Sequence, residues 1–256
     1  MPDFVLRLFA TVSLILVAAC TAPSGPATDP GGGGSGVGGG GSGSGGGGGS
    51  GDGGDPPPPP SDLFIMSEAE RLTYDTTFRP AVVAMRTDAV QGGQYMLFAD
   101  LPAGGTYTYA GYMELMVALG TAGANVAGPA TLTLVLTDLS LTGSATGFQG
   151  VALDENLVEQ AVNYAGTILI SNGHVTSGGA NNAGVRLDVD GTLDSGLHLF
   201  GIDGTLVGSL YGTDGAGLRV RGTNTSIDGS MVTTVDGAPG QIGSGMISAL
   251  RQSAAP

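Results

Sequence analysis

The chain has 256 residues, of which 49 are Gly and 14 Pro, with no Trp, no Lys and a single Cys. Gly and Pro at that level are far above the usage of an ordinary globular enzyme, so much of the chain lies outside any packed core. Its 8 Arg stand against 22 Asp and Glu, a formal charge of −14 that makes nucleic acid and anionic lipid poor partners; one thiol excludes both an internal disulfide framework and a cysteine-based zinc site.

Residues Leu8 to Ala19 (LFATVSLILVAA) form an apolar run behind Arg7. The run is shorter than the ~20 residues that a membrane-spanning helix needs, and it matches the hydrophobic region of a secretory signal. Val17-Ala18-Ala19-Cys20 sets a branched residue and two small ones before the Cys, and it resembles a bacterial lipobox. Residues 1–19 are therefore read as a lipoprotein signal peptide and Cys20 as the lipid-attachment residue. Acyl chains such as palmitate hold a protein at a membrane at ~0.8 kcal/mol per buried methylene. Thr21, where Asp would signal retention, resembles diderm lipoproteins sent onward. The expected location is the outer membrane of a Gram-negative cell, lipid-anchored, with the folded part exposed at the surface or facing the periplasm.

Residues 20–61 read as the acylated Cys and a disordered linker. Gly31 to Gly54 is nearly all Gly and Ser, broken by Val37 and Asp52, and Pro56 to Pro60 follow. Such a segment has no apolar surface to bury. As a coil, Thr21 to Asp55 spans roughly 30–35 Å, and the prolines add about 15 Å of stiffer chain. Repeated glycine patterns here are compositional, with no strand before them and no helix after, so they make no dinucleotide site.

Residues 62–100 read as a leading segment with a short helix and strands. Ser67 to Leu72 has the pattern of a helix start, Ser67 capping and Glu70 completing a capping box. Ala81 to Met85 and Gln94 to Phe98 read as a short strand pair, and no later stretch sustains a helical period.

Residues 101–250 alternate. In Thr106 to Leu119 the apolar Tyr107, Tyr109, Met113, Leu115, Val117 and Leu119 fall on one face, and Thr106, Thr108 and Glu114 on the other. Leu132, Leu134 and Leu136 alternate with Thr131, Thr133 and Thr137. Val185, Leu187, Val189 and Leu193 alternate with Arg186, Asp188, Asp190 and Thr192. Leu206 and Leu210 stand against Thr205 and Ser209, and Leu218 and Val220 against Arg219 and Arg221. One wet face and many Gly turns indicate antiparallel pairing, and closure removes exposed edges. The expected fold is all-β, a single antiparallel eight-stranded barrel whose interior is filled by side chains. Outer-membrane strands would carry lipid on the face that here bears Arg186, Asp188, Asp190, Arg219 and Arg221, so the barrel is expected to be soluble without detergent.

Three stretches carry a resemblance: Leu101 to Gly111 (LPAGGTYTYAG), Leu132 to Thr142 (LTLVLTDLSLT) and Gly204 to Gly222 (GTLVGSLYGTDGAGLRVRG). Together they resemble the C-terminal barrel domain of the transferrin-binding protein B superfamily, with Gly208 to Gly212 similar to its penultimate strand. The superfamily includes surface lipoproteins that bind factor H or haem proteins, and solute-binding-like members. The resemblance implies a surface lipoprotein whose barrel binds a protein or solute partner. The chain has one barrel rather than two lobes and lacks handle domains, so transferrin itself is not implied.

Assembled chemistry is sparse. His174 and His198 lack the spacing of a metal pair. Asp188-Val189-Asp190-Gly191 matches the opening of a calcium loop, but the later acidic ligands are missing. Ser195, His198 and Asp194 are close in sequence without a nucleophile elbow, and Asp188, Asp190, Asp203 and Asp214 are spread along faces and turns. No enzyme activity, cofactor or metal is expected. Arg219 and Arg221 form a small positive patch, read as a solvated face pairing with neighbouring Asp or as a partner contact. The expected partners are the membrane through Cys20 and an extracellular protein or small ligand, with no nucleic acid, the chain being a monomer. The alternatives are a carrier of haem or another hydrophobic ligand held by Tyr107, Tyr109, Tyr211 or His198, and a structural envelope lipoprotein.

Overall fold

The computed structural model describes residues 63–90, 93–120, 122–153, 156, 158–224 and 229–253. The expected signal peptide, Cys20 and the expected linker lie outside these residues.

Ten strands follow the leading segment: β1 (Thr106–Leu119), β2 (Ala122–Val135), β3 (Ser140–Leu153), β4 (Glu159–Ser177), β5 (Ala183–Asp194), β6 (Leu199–Tyr211), β7 (Gly217–Thr223), β8 (Met231–Val235), β9 (Ala238–Pro239) and β10 (Ile242–Arg251). From β1 to β7 each pairs antiparallel with its predecessor, and β10 pairs with both β7 and β1, which closes the wall. The seventh place is shared. Val207 to Tyr211 of β6 pair with β7, and Phe200 to Gly204 of the same strand pair with β8. The barrel is thus eight-stranded and antiparallel, with β8 and β9 joined by a turn at Asp236 (φ 52°) and Gly237 (φ 81°). Asp-Gly suits that turn because both central residues need positive φ.

The period-2 pattern sets which side chains enter. Tyr109, Met113, Leu115 and Val117 of β1 are buried, as are Leu132, Leu134, Val185, Leu187, Val189, Leu206, Leu210, Leu218 and Val220. Phe148 of β3, Ile168 and Ile170 of β4 and Phe200 of β6 complete the filling. Each such side chain contributes roughly 1.5–3 kcal/mol by leaving water. The expected alternation holds with three departures, one of them Leu119, which is only half-buried. Tyr107 is only half-buried, and Ser209, placed on the wet face, is 6% exposed because Asn182 covers it and donates Nδ2–H to its Oγ at 3.0 Å. Gly208 to Gly212 lies at the end of β6, so two further wall positions follow it rather than the single one expected of a penultimate strand.

The leading segment differs most from expectation. Ser67 does cap a helix, its Oγ accepting from Glu70 N–H while the Glu70 carboxylate accepts from Ser67 N–H at 2.8 Å. The helix does not stop there. It runs through α1 (Glu68–Thr73), a π-helical turn (Tyr74–Phe78) and α2 (Arg79–Asp88), so Ala81 to Met85 is helical and not a strand. Pro80 is the second residue of α2, directly after the π-helical turn. Gln94 to Phe98 makes two isolated bridges, Tyr95 with Tyr211 and Leu97 with Asn182, rather than half of a strand pair.

The helix lies on the outside of the wall. Asn163 of β4 donates to Glu70 at 3.4 Å, Phe78 meets the Tyr112 ring edge-on at 5.4 Å, and Arg86 binds Glu114. Ala89, fully buried just past α2, rests on Gly217, where a Cβ would stand 2.0 Å from the Ala89 carbonyl oxygen. Leu63 to Met66 pairs with β4 at the lower end, beside the β5–β6 turn, and Gln94 to Leu97 joins β5 and β6 at the upper end.

Candidate functional site

At the upper end the ladder between β5 and β6 stops at Gly184 and Ser209. Beyond it the strands part, and the leading segment enters between them. Met96 N–H donates to Leu210 O at 3.1 Å, Met96 O accepts from Ala183 N–H at 2.8 Å, and Gln94 O accepts from Gly212 N–H at 2.8 Å. Met96 itself plugs the core and is 1% exposed. Alternation along this extended piece turns its neighbours the other way, leaving Tyr95 54% and Leu97 48% exposed.

Those two side chains form one wall of a cleft of about 670 Å³. The Tyr95 ring packs against Tyr211 in a tilted arrangement, the centroids 5.0 Å apart and the planes at 32°. Burial, followed by the adjacent Tyr95, raises the Tyr211 hydroxyl above its ordinary range. The opposite wall is the β4–β5 turn with Gly179, Ala180 and Asn182, and Gln94, Asp100 and Thr213 complete the rim. Ala180 and Asn181 both adopt left-handed backbone, φ 56° and 60°, a conformation that is strained for Ala. Asn182 Oδ1 is buried without a partner.

Next to the cleft, Tyr109 is enclosed at the top of the barrel and donates its hydroxyl to Gly215 O at 2.8 Å. Arg251 lies over the Tyr107 ring at 4.4 Å and binds Asp214 at 2.5 Å. A second, smaller cleft of about 210 Å³ lies at the lower end between Met116, Asn125 and Leu153.

The residues singled out in the sequence do not converge. His174 sits on a bulge of β4, its Nδ1 3.1 Å from Asn172 O, and His198 lies at the lower end, its Nδ1 2.8 Å from Asp236 Oδ2. Ser195 is fully buried. Its Oγ accepts from His198 N–H and donates to His198 O, while Asp194 accepts from Gly196 N–H, so the three residues close a turn and present no nucleophile to an imidazole. Asp188 binds Thr205 and Asn172, and Asp190 faces Asp203 across the ladder. Among the described residues no group of His, Cys, Asp and Glu has the arrangement of a metal site. Arg219 leans on Met246 Sδ at 3.3 Å, and among the described residues neither Arg219 nor Arg221 forms an ion pair with a carboxylate. The pairing with neighbouring Asp expected for them is therefore absent there, since strand order places Val207 and Met246 beside Arg221.

No protein-family model matches the chain, and neither the characterised proteins nor the solved structures compared with it contain a match. The upper cleft therefore stands on its own geometry. Sequence reasoning missed it because its walls come from residues 94–100, 179–182 and 213.

Proposed function

We propose that the chain is an outer-membrane-anchored lipoprotein, acylated at Cys20, that presents its barrel as a binding module for a protein or solute partner. Its resemblance to the transferrin-binding protein B superfamily points the same way. The observation that carries the binding role is the filled interior: Tyr109, Met113, Leu115, Phe148, Ile168 and Phe200 are fully or almost fully buried there, while the upper cleft opens outward. A ligand would therefore be met at the end of the barrel and not inside it. A haem carrier finds less support, since the Tyr109 hydroxyl is given to Gly215 O, the Tyr107 ring lies under Arg251 and the His198 ring is held by Asp236.

Protease shaving of intact cells producing the full chain, with a Cys20→Ser control, tests the display. Cleavage of the barrel domain from whole cells that depends on Cys20 is the expected result. Protection until the outer membrane is broken moves the domain to the periplasmic face, and a domain released to the medium regardless of Cys20 overturns the anchor.

A further inference from the structure

We infer that the upper cleft is a binding site for a neutral oligosaccharide, with the exposed face of Tyr95 as its stacking platform. The proposal deepens the binding-module reading by naming the ligand class.

Four observations carry it. The cleft, about 670 Å³, falls within the ~300–1,000 Å³ typical of small-molecule sites. Its aromatic platform is held from behind, because the Tyr211 ring packs tilted against Tyr95 at 5.0 Å and backbone bonds on both sides of Met96 fix the segment that carries it. A ring fixed in this way loses little freedom on binding, and tyrosine offers apolar area with a polar tip. A sugar ring presents an apolar C–H face that packs on such a platform.

The rim supplies the complementary polar groups. Gln94 offers both a donor and an acceptor, Asp100 a planar pair of acceptors, and Thr213 a hydroxyl that serves either way. Vicinal hydroxyls are simultaneously donors and acceptors, and planar amide and carboxylate groups meet two of them at once. A ligand lacking hydroxyls would leave these groups desolvated and unpaired, which opposes its binding.

Charge narrows the class further. Asp100 is the one charged residue among the described residues lining the cleft, so a phosphorylated or sialylated sugar meets repulsion with no cation among them to offset it. An extended peptide is also disfavoured. Peptides add to a sheet through free backbone groups, whereas Gln94 O, Met96 N–H and Met96 O are already bonded to β5, β6 and Gly212.

The test uses the full chain in mild detergent with short neutral glucan, mannan, xylan and chitin oligosaccharides as probes, and sialyllactose as the charged control. Saturation-transfer NMR and calorimetry report binding, and with 7 Tyr and no Trp the intrinsic fluorescence reports on tyrosine alone. The expected result is binding of at least one neutral probe, with sialyllactose inert. Tyr95→Ala should weaken that binding about tenfold or more, as for an aromatic anchor at the centre of a site, and Tyr95→Phe should retain it. Asp100→Asn should relieve the exclusion of sialyllactose, while neutral binding weakens because one of the two carboxylate acceptors is replaced by a donor. Far-UV circular dichroism of each variant controls for folding. Silence from every neutral probe, or binding unchanged by Tyr95→Ala, overturns the proposal. Failure here with shaving still dependent on Cys20 removes the saccharide site alone and leaves the anchored display standing.

Discussion

Arg86 of the outer helix grips Glu114 of β1 with its guanidinium, Nε lying 2.8 Å from each carboxylate oxygen and Nη2 closing the fork. The Glu114 side chain is only 13% exposed, and its hydrogen bond raises the Arg86 guanidinium further above its already high range. This bidentate pair is the polar fastening of α2 to the wall, next to the apolar contacts of Phe78 and Val82. A double-mutant cycle of Arg86→Ala and Glu114→Ala should give a coupling of about 1–2 kcal/mol in urea unfolding, between an ordinary exposed pair and a charge-assisted hydrogen bond. Additive single effects would show that the helix is held by its apolar face alone.

Gly217 sets how closely the end of the helix can approach. A Cβ there would stand 2.0 Å from the Ala89 carbonyl oxygen, a backbone atom unable to swing aside. Gly217→Ala should therefore cost about 2–3 kcal/mol, as overpacking in a close-fitted site does. Gly120, with φ 60° and open space where its Cβ would be, provides the contrast: Gly120→Ala should cost only about 1 kcal/mol from backbone strain. Thermal denaturation of the two variants side by side measures the difference.

Tyr109 is buried with its hydroxyl committed to Gly215 O. Burial pushes this hydroxyl, and that of Tyr164, well above the ordinary tyrosine range, with Arg251 opposing the rise at Tyr109. Both groups keep their protons in the folded state where the unfolded chain would release them, so their contribution is complete below about pH 10 and declines as pH rises beyond it. A tyrosinate absorbance titration should show these two rings ionising only as the barrel unfolds. Tyr109→Phe should lower stability by about 1–2 kcal/mol, because the Gly215 carbonyl loses a buried partner.

Burial works against ionisation of Asp236, but the Leu199 N–H and the His198 ring outweigh it and hold the carboxyl below its usual value. A carboxyl depressed in the folded state contributes stability above the unfolded value of about 4, and this is lost as pH falls through the folded one. Urea midpoints measured from neutral pH down to the acid limb should fall more gently in Asp236→Asn than in the parent chain. Asn tolerates the φ of 52° at this turn, so the substitution removes charge without straining the backbone. An acid limb identical in both chains would mean that Asp236 contributes nothing to the loss.

The barrel was largely legible because its inward positions obey a period of two over long runs, as in Tyr109 to Val117 and Val185 to Val189. β3 and β4 were harder to read, since Gly143, Gly147, Gly150, Gly166 and Gly173 interrupt the alternation. The helix beyond its first turn was hidden for a different reason. Ala81-Val82-Val83-Ala84-Met85 has the composition of a strand, Pro80 reads as a breaker, and the π-helical turn at Tyr74 to Phe78 shifts the apolar face by a residue, with Val82 alone buried in α2. Tertiary contact with Tyr112 and Glu114 overrides that local preference. The cleft was illegible because it forms only when three separated segments meet.

The short pairing at Leu63 to Met66 has a mechanical meaning. A pull on the chain from its N-terminal side arrives first at three backbone bonds: Phe64 N–H to Ser195 O, Met66 N–H to Ala161 O, and Asn163 N–H to Phe64 O. Behind them stand the Arg86 fork and the Ala89 seat on Gly217, then the insertion at Met96. The load thus meets a series of weak links in turn, each able to yield and re-form. The closed wall begins only at Thr106, so its first strand is reached along the chain only after all of these have let go.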